Sequence, residues 1–134
     1  MISQTTITTA IYQALLTGAT GPLVASPGGG IHLDGAPDDT KLPCVLIMCC
    51  EKDEQDPFFG DDAIVVDLAP WRAKIMVFSN RIAGTASGQA IFNAVIADLE
   101  NKVLAGKKCS IEQTEGPAQT EQFMVATVNI QLIV

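Results

Sequence analysis

The clearest pattern in the chain is the alternation in PWRAKIMVFSN, residues 70–80. It puts Trp71, Ala73, Ile75 and Val77 on one face of a strand and Arg72, Lys74, Met76 and Phe78 on the other. The first face is expected to pack on a core, and the second to be solvated or contacted only at its basic end. After the turn RIAGTASG the period lengthens from two to helical spacing. Ile91, Val95, Leu99 and Val103 form one stripe, widened by Phe92, Ile96 and Leu104, with Thr85 or Ser87 as the cap and Gly106 past the end. On the polar side of this helix Asp98 and Lys102 stand at i,i+4, where an exposed pair adds about 0.3 kcal/mol.

The flanking segments follow the same two periods. Ile7, Ala10, Ile11, Ala14 and Leu15 predict an N-terminal helix, capped by Ser3, Thr5 or Thr6 and stopped by Gly18, with Gly21 and Pro22 behind it. Residues 18–42, dominated by Gly, Pro, Asp and Thr, read as a long structured loop with one short strand. PCVLIMCC, from Pro43, is a continuous apolar run that predicts a strand buried on both faces. EKDEQDPFFGDD, Glu51 to Asp62, follows as an acidic, hairpin-like excursion, and AIVVDLA adds a strand signal before Pro70. Cys109 to Gln113 predicts a short strand and EGPAQ a turn. From Glu121 the chain alternates again. Met124, Ala126, Val128, Ile130, Leu132 and Val134 share one face; Thr127, Asn129 and Gln131 share the other with Phe123, Val125 and Ile133. This last strand is expected to complete the sheet within a subunit or to extend a sheet across a subunit boundary. The order of elements predicts an α+β fold over residues 1–134 as a single domain: a mainly antiparallel sheet with two helices packed on one face.

Composition narrows the function more than it narrows the fold. A length of 134 residues suits one core without disulfides, and a 48% apolar content suits a surface partly covered by neighbours. The net charge of -7 argues against a nucleic-acid clamp, which needs clustered Lys and Arg, but allows a surface past which DNA slides without sticking. No apolar run reaches the roughly 18 residues of a membrane span. Met1 to Leu16 has no basic start and is broken by Thr and Gln, so the chain is expected to be cytosolic when made. Cys44, Cys49, Cys50 and Cys109 lack C-x-x-C pairing and read as reduced thiols; on a strand, Cys49 and Cys50 point to opposite faces.

Candidate chemistry is sparse. His32, the sole histidine, has Asp34 as its nearest partner on the same face of a short strand, and a structural or surface role is expected for it. The triple glycine after Pro27 is followed by no G-K-[ST], so it reads as a turn. Cys44 and Cys49 sit in apolar text, unlike an exposed, electropositive nucleophile. The carboxylates of Glu51, Asp53, Glu54, Asp56, Asp61 and Asp62 do not follow calcium-loop spacing. Neither a catalytic, a cofactor-binding nor a metal residue is therefore assigned. Phe58 and Phe59, paired aromatics flanked by charge, read as interface anchors together with Asp56, Asp61 and Asp62.

An N-terminal helix ending in a Gly turn, a Gly/Pro loop leading to LPCVLI, the strand KIMVFSN and the helix ASGQAIFNAVIADLENKVL together resemble the tail terminator, or tail-completion, proteins of long-tailed bacteriophages. The resemblance covers most of the chain and rests on residue class. Cys44 stands where an aromatic often follows the proline, and the long acidic loop is a further departure. The resemblance implies a structural virion protein of the tail and neck, made and assembled in the host cytoplasm. It implies a homo-oligomeric ring, usually a hexamer, that caps the head-proximal end of the tail tube and ends tube polymerisation. The expected partners are the tail-tube protein and a head-side connector or stopper, with DNA passing through the lumen without sequence-specific binding. Some of Asp53, Glu54, Asp56, Asp61 and Asp62 would then face the lumen or a neighbouring ring. Alternatives are another neck component, such as a head-completion or stopper protein, a tail-tube subunit, or a small-molecule-binding domain or enzyme using His32 and Asp34.

Overall fold

The structure is a computed structural model that describes residues 4–25, 30–33, 42–52, 70–80, 85–120 and 123–133. Among these, three helices, α1 (Gln4–Thr17), α2 (Thr20–Val24) and α3 (Thr85–Leu99), accompany six strands. The strands are β1 (Gly30–Leu33), β2 (Cys44–Lys52), β3 (Trp71–Asn80), β4 (Val103–Leu104), β5 (Lys107–Gln119) and β6 (Phe123–Ile133). They form one sheet in the order β1-β2-β3-β6-β5-β4, parallel between β1 and β2 and antiparallel elsewhere. This is the expected α+β arrangement, with one more helix.

Alternation along β3 decides which face is the core. Trp71, Ala73, Ile75 and Val77 stand in register with Leu132, Ile130, Val128 and Ala126 of β6, and all eight are buried. Over them lie Ile7, Ile11 and Leu15 of α1 and Ile91, Val95 and Leu99 of α3, in one continuous apolar cluster. The strand β6 has β3 on one side and β5 on the other, so it completes the sheet within the chain; extension of a neighbour's sheet by this strand is overturned.

The opposite, outer face departs from expectation. Its apolar part is covered: Cys44, Leu46 and Phe78 are buried, with Leu42, Met48, Met76 and Val125 packed against them. Together with Val45 and Ile47 on the core face, this makes the first part of β2 buried on both faces, as PCVLIM predicts. The basic end of the outer face stays open, with Arg72 and Lys74 exposed.

Three further differences have local causes. The helix α3 stops at Leu99 because Asn101 takes a left-handed φ of 62°. Asn101 then donates its N–H to Cys109 O at 3.1 Å, and Cys109 donates back to Lys102 O at 2.7 Å. Val103 and Leu104 therefore leave the helical stripe for β4. A two-residue turn of Ala105 and Gly106, at φ 53° and 79°, folds β4 onto β5 with the positive φ pair such hairpins need. Strand β5 runs straight through EGPAQ, where a turn was expected. The register shifts between Glu115 and Ala118, and this bulge absorbs Pro117. Finally, α2 occupies part of the predicted loop. Its Gly21 and Pro22 lie in the first turn, where a missing N–H costs nothing.

A buried carboxylate holds the helical layer together. Asp98 of α3, expected on the wet face beside Lys102, is 8% exposed and reaches the start of α2 instead. It accepts hydrogen bonds from Ala19 N and Thr20 N, both at 2.9 Å, and from Thr20 Oγ1 at 2.6 Å. Gly18 makes room for it, since a Cβ there would lie 2.3 Å from Asp98 Oδ1. Sequence spacing had paired Asp98 with a local cation. The free N–H groups at a helix start are the stronger demand.

Gly88 provides a second close approach, between α3 and β3. A Cβ at Gly88 would meet Ser79 Oγ at 2.6 Å, and that hydroxyl is buried with no hydrogen-bond partner among the described residues. Gly88→Ala is expected to cost about 1–2 kcal/mol through overpacking, while Ser79→Ala alone is neutral or stabilising. Combining them should recover most of the loss, a coupling that a double-mutant cycle in urea measures directly.

Candidate functional site

The open end of the outer face contains a groove of about 370 Å³ lined by Arg72, Ala73, Lys74, Glu112, Gln113, Asn129 and Ile130. Three strands build it. Alternation on β3 turns Arg72 and Lys74 outward, and β6 sets Gln131 and Asn129 opposite them. On β5 the register slips between Ile111, opposite Ile130, and Gln113, opposite Asn129. This bulge makes Glu112 the extra residue and brings it, with its neighbour Gln113, to the same groove.

The groove brings charges of both signs together: Arg72 stands in register with Glu51 of β2 and faces Glu112 of β5. Arg72 Nε lies 3.6 Å from Glu112 Oε1, with the two side chains 52% and 32% exposed. Solvent screens such a pair to about 0.2–1 kcal/mol, so it aligns the side chains more than it stabilises the fold. Lys74 stands in register with Met48 on one side and Asn129 on the other, and neither supplies a countercharge. One row beyond Arg72, Lys108 pairs in register with Val103 and with Ile133, which are 70% and 40% exposed. The rim of the groove thus adds a cation and two solvent-facing apolar side chains.

The sequence-predicted residues fall elsewhere. Asp53, Glu54, Asp56, Phe58, Phe59, Asp61 and Asp62 lie outside the described residues, as does Asp34. His32 sits on β1, exposed, in register with Leu46. Among the described residues no group of His, Cys, Asp and Glu is arranged to hold a metal ion, and no helix is long and apolar enough to cross a membrane. Arg72 and Lys74 were visible as the basic end of a strand. Glu112, Gln113 and Asn129 were not assigned to a site, because their meeting depends on sheet order and on the bulge.

Cys44 and Cys109 are free thiols and both are buried. Burial pushes the Cys109 thiol from 9.0 up to about 12, so it is protonated at neutral pH. Below pH 9.0 folded and unfolded chains both keep this proton; between 9.0 and about 12 the unfolded chain releases it first. Stability is therefore expected to fall over that window, by up to about 1.4 kcal/mol per pH unit, and the fall stops once the folded thiol ionises. Urea unfolding at pH 8 and pH 10.5 checks this: Cys109→Ala, though less stable at pH 8, should lose less than the wild type on the shift to higher pH.

Fold and groove together define an α+β domain whose charged site lies on the open sheet face, opposite the helical layer. No protein-family model matches the chain, and no curated protein matches it.

Proposed function

We propose that the chain is the subunit of a ring like that of the tail terminators it resembles: a structural protein that caps the head-proximal end of a phage tail tube, ends its polymerisation and joins it to the head-side connector. The observation that carries this reading is the correspondence between the residue pattern and the fold. LPCVLI leads into β2, KIMVFSN is β3 beside it, and ASGQAIFNAVIADL is the helix α3 laid across the sheet, in the order the resemblance implies. The net charge of -7 supports an acidic subunit around a lumen, which repels phosphate and lets DNA pass.

The work of such a subunit is mechanical, and its contacts are head-to-tail, joining two different patches on each copy. Light scattering after size exclusion, followed by imaging of the protein mixed with tail-tube subunits, tests the reading. Rings with a central hole, and tubes shortened and capped at one end, are expected. A strict monomer at every concentration, with and without tube protein, would overturn it, and incorporation along the tube would assign the chain to the tube instead.

A further inference from the structure

We propose that α2 and β1 form a strap that opens as one unit while the rest of the domain stays folded, with the Asp98 carboxylate as its lock. Neither element holds its shape alone. The five residues of α2 are far fewer than the roughly 12–15 that an isolated helix needs. The four residues of β1 pair in parallel with β2, and no described strand pairs with their other edge. The two elements touch each other, so each is part of the other's support.

The domain keeps its core without them. In the cluster that joins α1, α3 and the sheet, Val24 is the one buried side chain that comes from α2 or β1, and Ile31 is partly buried at its margin. The other buried residues of α2, Thr20 and Gly21, carry little apolar surface, while Leu23 and Leu33 are 45% and 46% exposed. The polar attachment, by contrast, is gathered at one point. Asp98 of α3 accepts from Ala19 N, Thr20 N and Thr20 Oγ1, in the space that Gly18 leaves free. A segment held by few apolar contacts and one polar lock opens before the core does. Opening bares the edge of β2 that β1 covers, from Cys44 to Ile47, all four of them buried. The strap therefore guards an apolar strand edge, the kind on which another extended chain adds backbone to backbone.

Amide hydrogen exchange of the whole chain, read residue by residue by NMR at low urea, tests this. In the wild type the amides of α2 and β1 are expected to exchange as one group, at least about tenfold faster than those of β3 and β6 after correction for intrinsic rates, and with a weaker dependence on urea. Two substitutions separate the routes. Ile75→Val weakens the core in the closed and strap-open forms alike, so it should speed exchange in β3 and β6 by roughly 2–10-fold and leave α2 and β1 unchanged. Asp98→Asn weakens only the closed form, so it should speed α2 and β1 together, by at least about tenfold. Thr20→Val breaks the same lock more gently and should speed both by about fivefold; it decides the matter if Asp98→Asn does not fold. If Ile75→Val speeds α2 and β1 as much as β3, these elements open only when the whole domain unfolds, and the proposal is overturned. It is equally overturned if breaking the lock speeds α2 and leaves β1 unchanged, since the two would then be separate pieces.

Discussion

Asp98→Ala is expected to lower the unfolding free energy by about 3–5 kcal/mol, the range for removing one partner from a buried charged network. Three donors, Ala19 N, Thr20 N and Thr20 Oγ1, lose their acceptor together at a site that is only 8% exposed. For a domain of this size, whose total stability is of the order of 10 kcal/mol, the loss is a large fraction. Thr20→Val removes a single bond and should cost about 1 kcal/mol, while Asp98→Asn keeps one acceptor oxygen and should fall between. Urea midpoints at constant m-value provide the comparison. If Asp98→Ala cost no more than an exposed i,i+4 pair, the carboxylate would belong on the wet face after all.

The second large effect separates the two faces of β3 at adjacent positions. Ile75 is fully buried between β2 and β6 in register with Ile47 and Val128, under the helical layer. Ile75→Ala is expected to cost about 3–4 kcal/mol through lost transfer energy and the cavity left behind. Met76 points to the outer face and is only partly buried. Met76→Ala should cost about 1–2 kcal/mol, because flexible neighbours such as Met48 can close over the gap. Equal losses at the two positions would mean that the outer cluster is as tightly packed as the core.

Periodicity made the frame legible. The face of Trp71, Ala73, Ile75 and Val77 and the stripe of Ile91, Val95 and Leu99 were named correctly as core, because each depends on residues within one element. What escaped was decided between elements. Asp98 looks like a surface residue until Gly18 brings the start of α2 against it. Gly21 and Pro22 carry the signs of a stop, yet both fit the first turn of a short helix. Val103 continues the helical spacing, but the left-handed Asn101 has already ended the helix. The groove was half legible for the same reason: its cations are two residues apart on β3, while Glu112 arrives through a bulge on a distant strand.

That strand also governs how copies can meet. Beyond Cys109, no described strand pairs with the outward edge of β5, which continues to Gln119. A straight edge of this length is a template on which other chains can add backbone to backbone without limit. Here two kinks fall along it, at Ile111–Gln113 and Glu115–Ala118, with Glu112, Glu115 and Pro117 among them. Such an edge resists zipping into fibres even at high local concentration. Any contact between copies at this edge would then have to be made by side chains, whose geometry can limit the number of copies, where an endless ladder cannot.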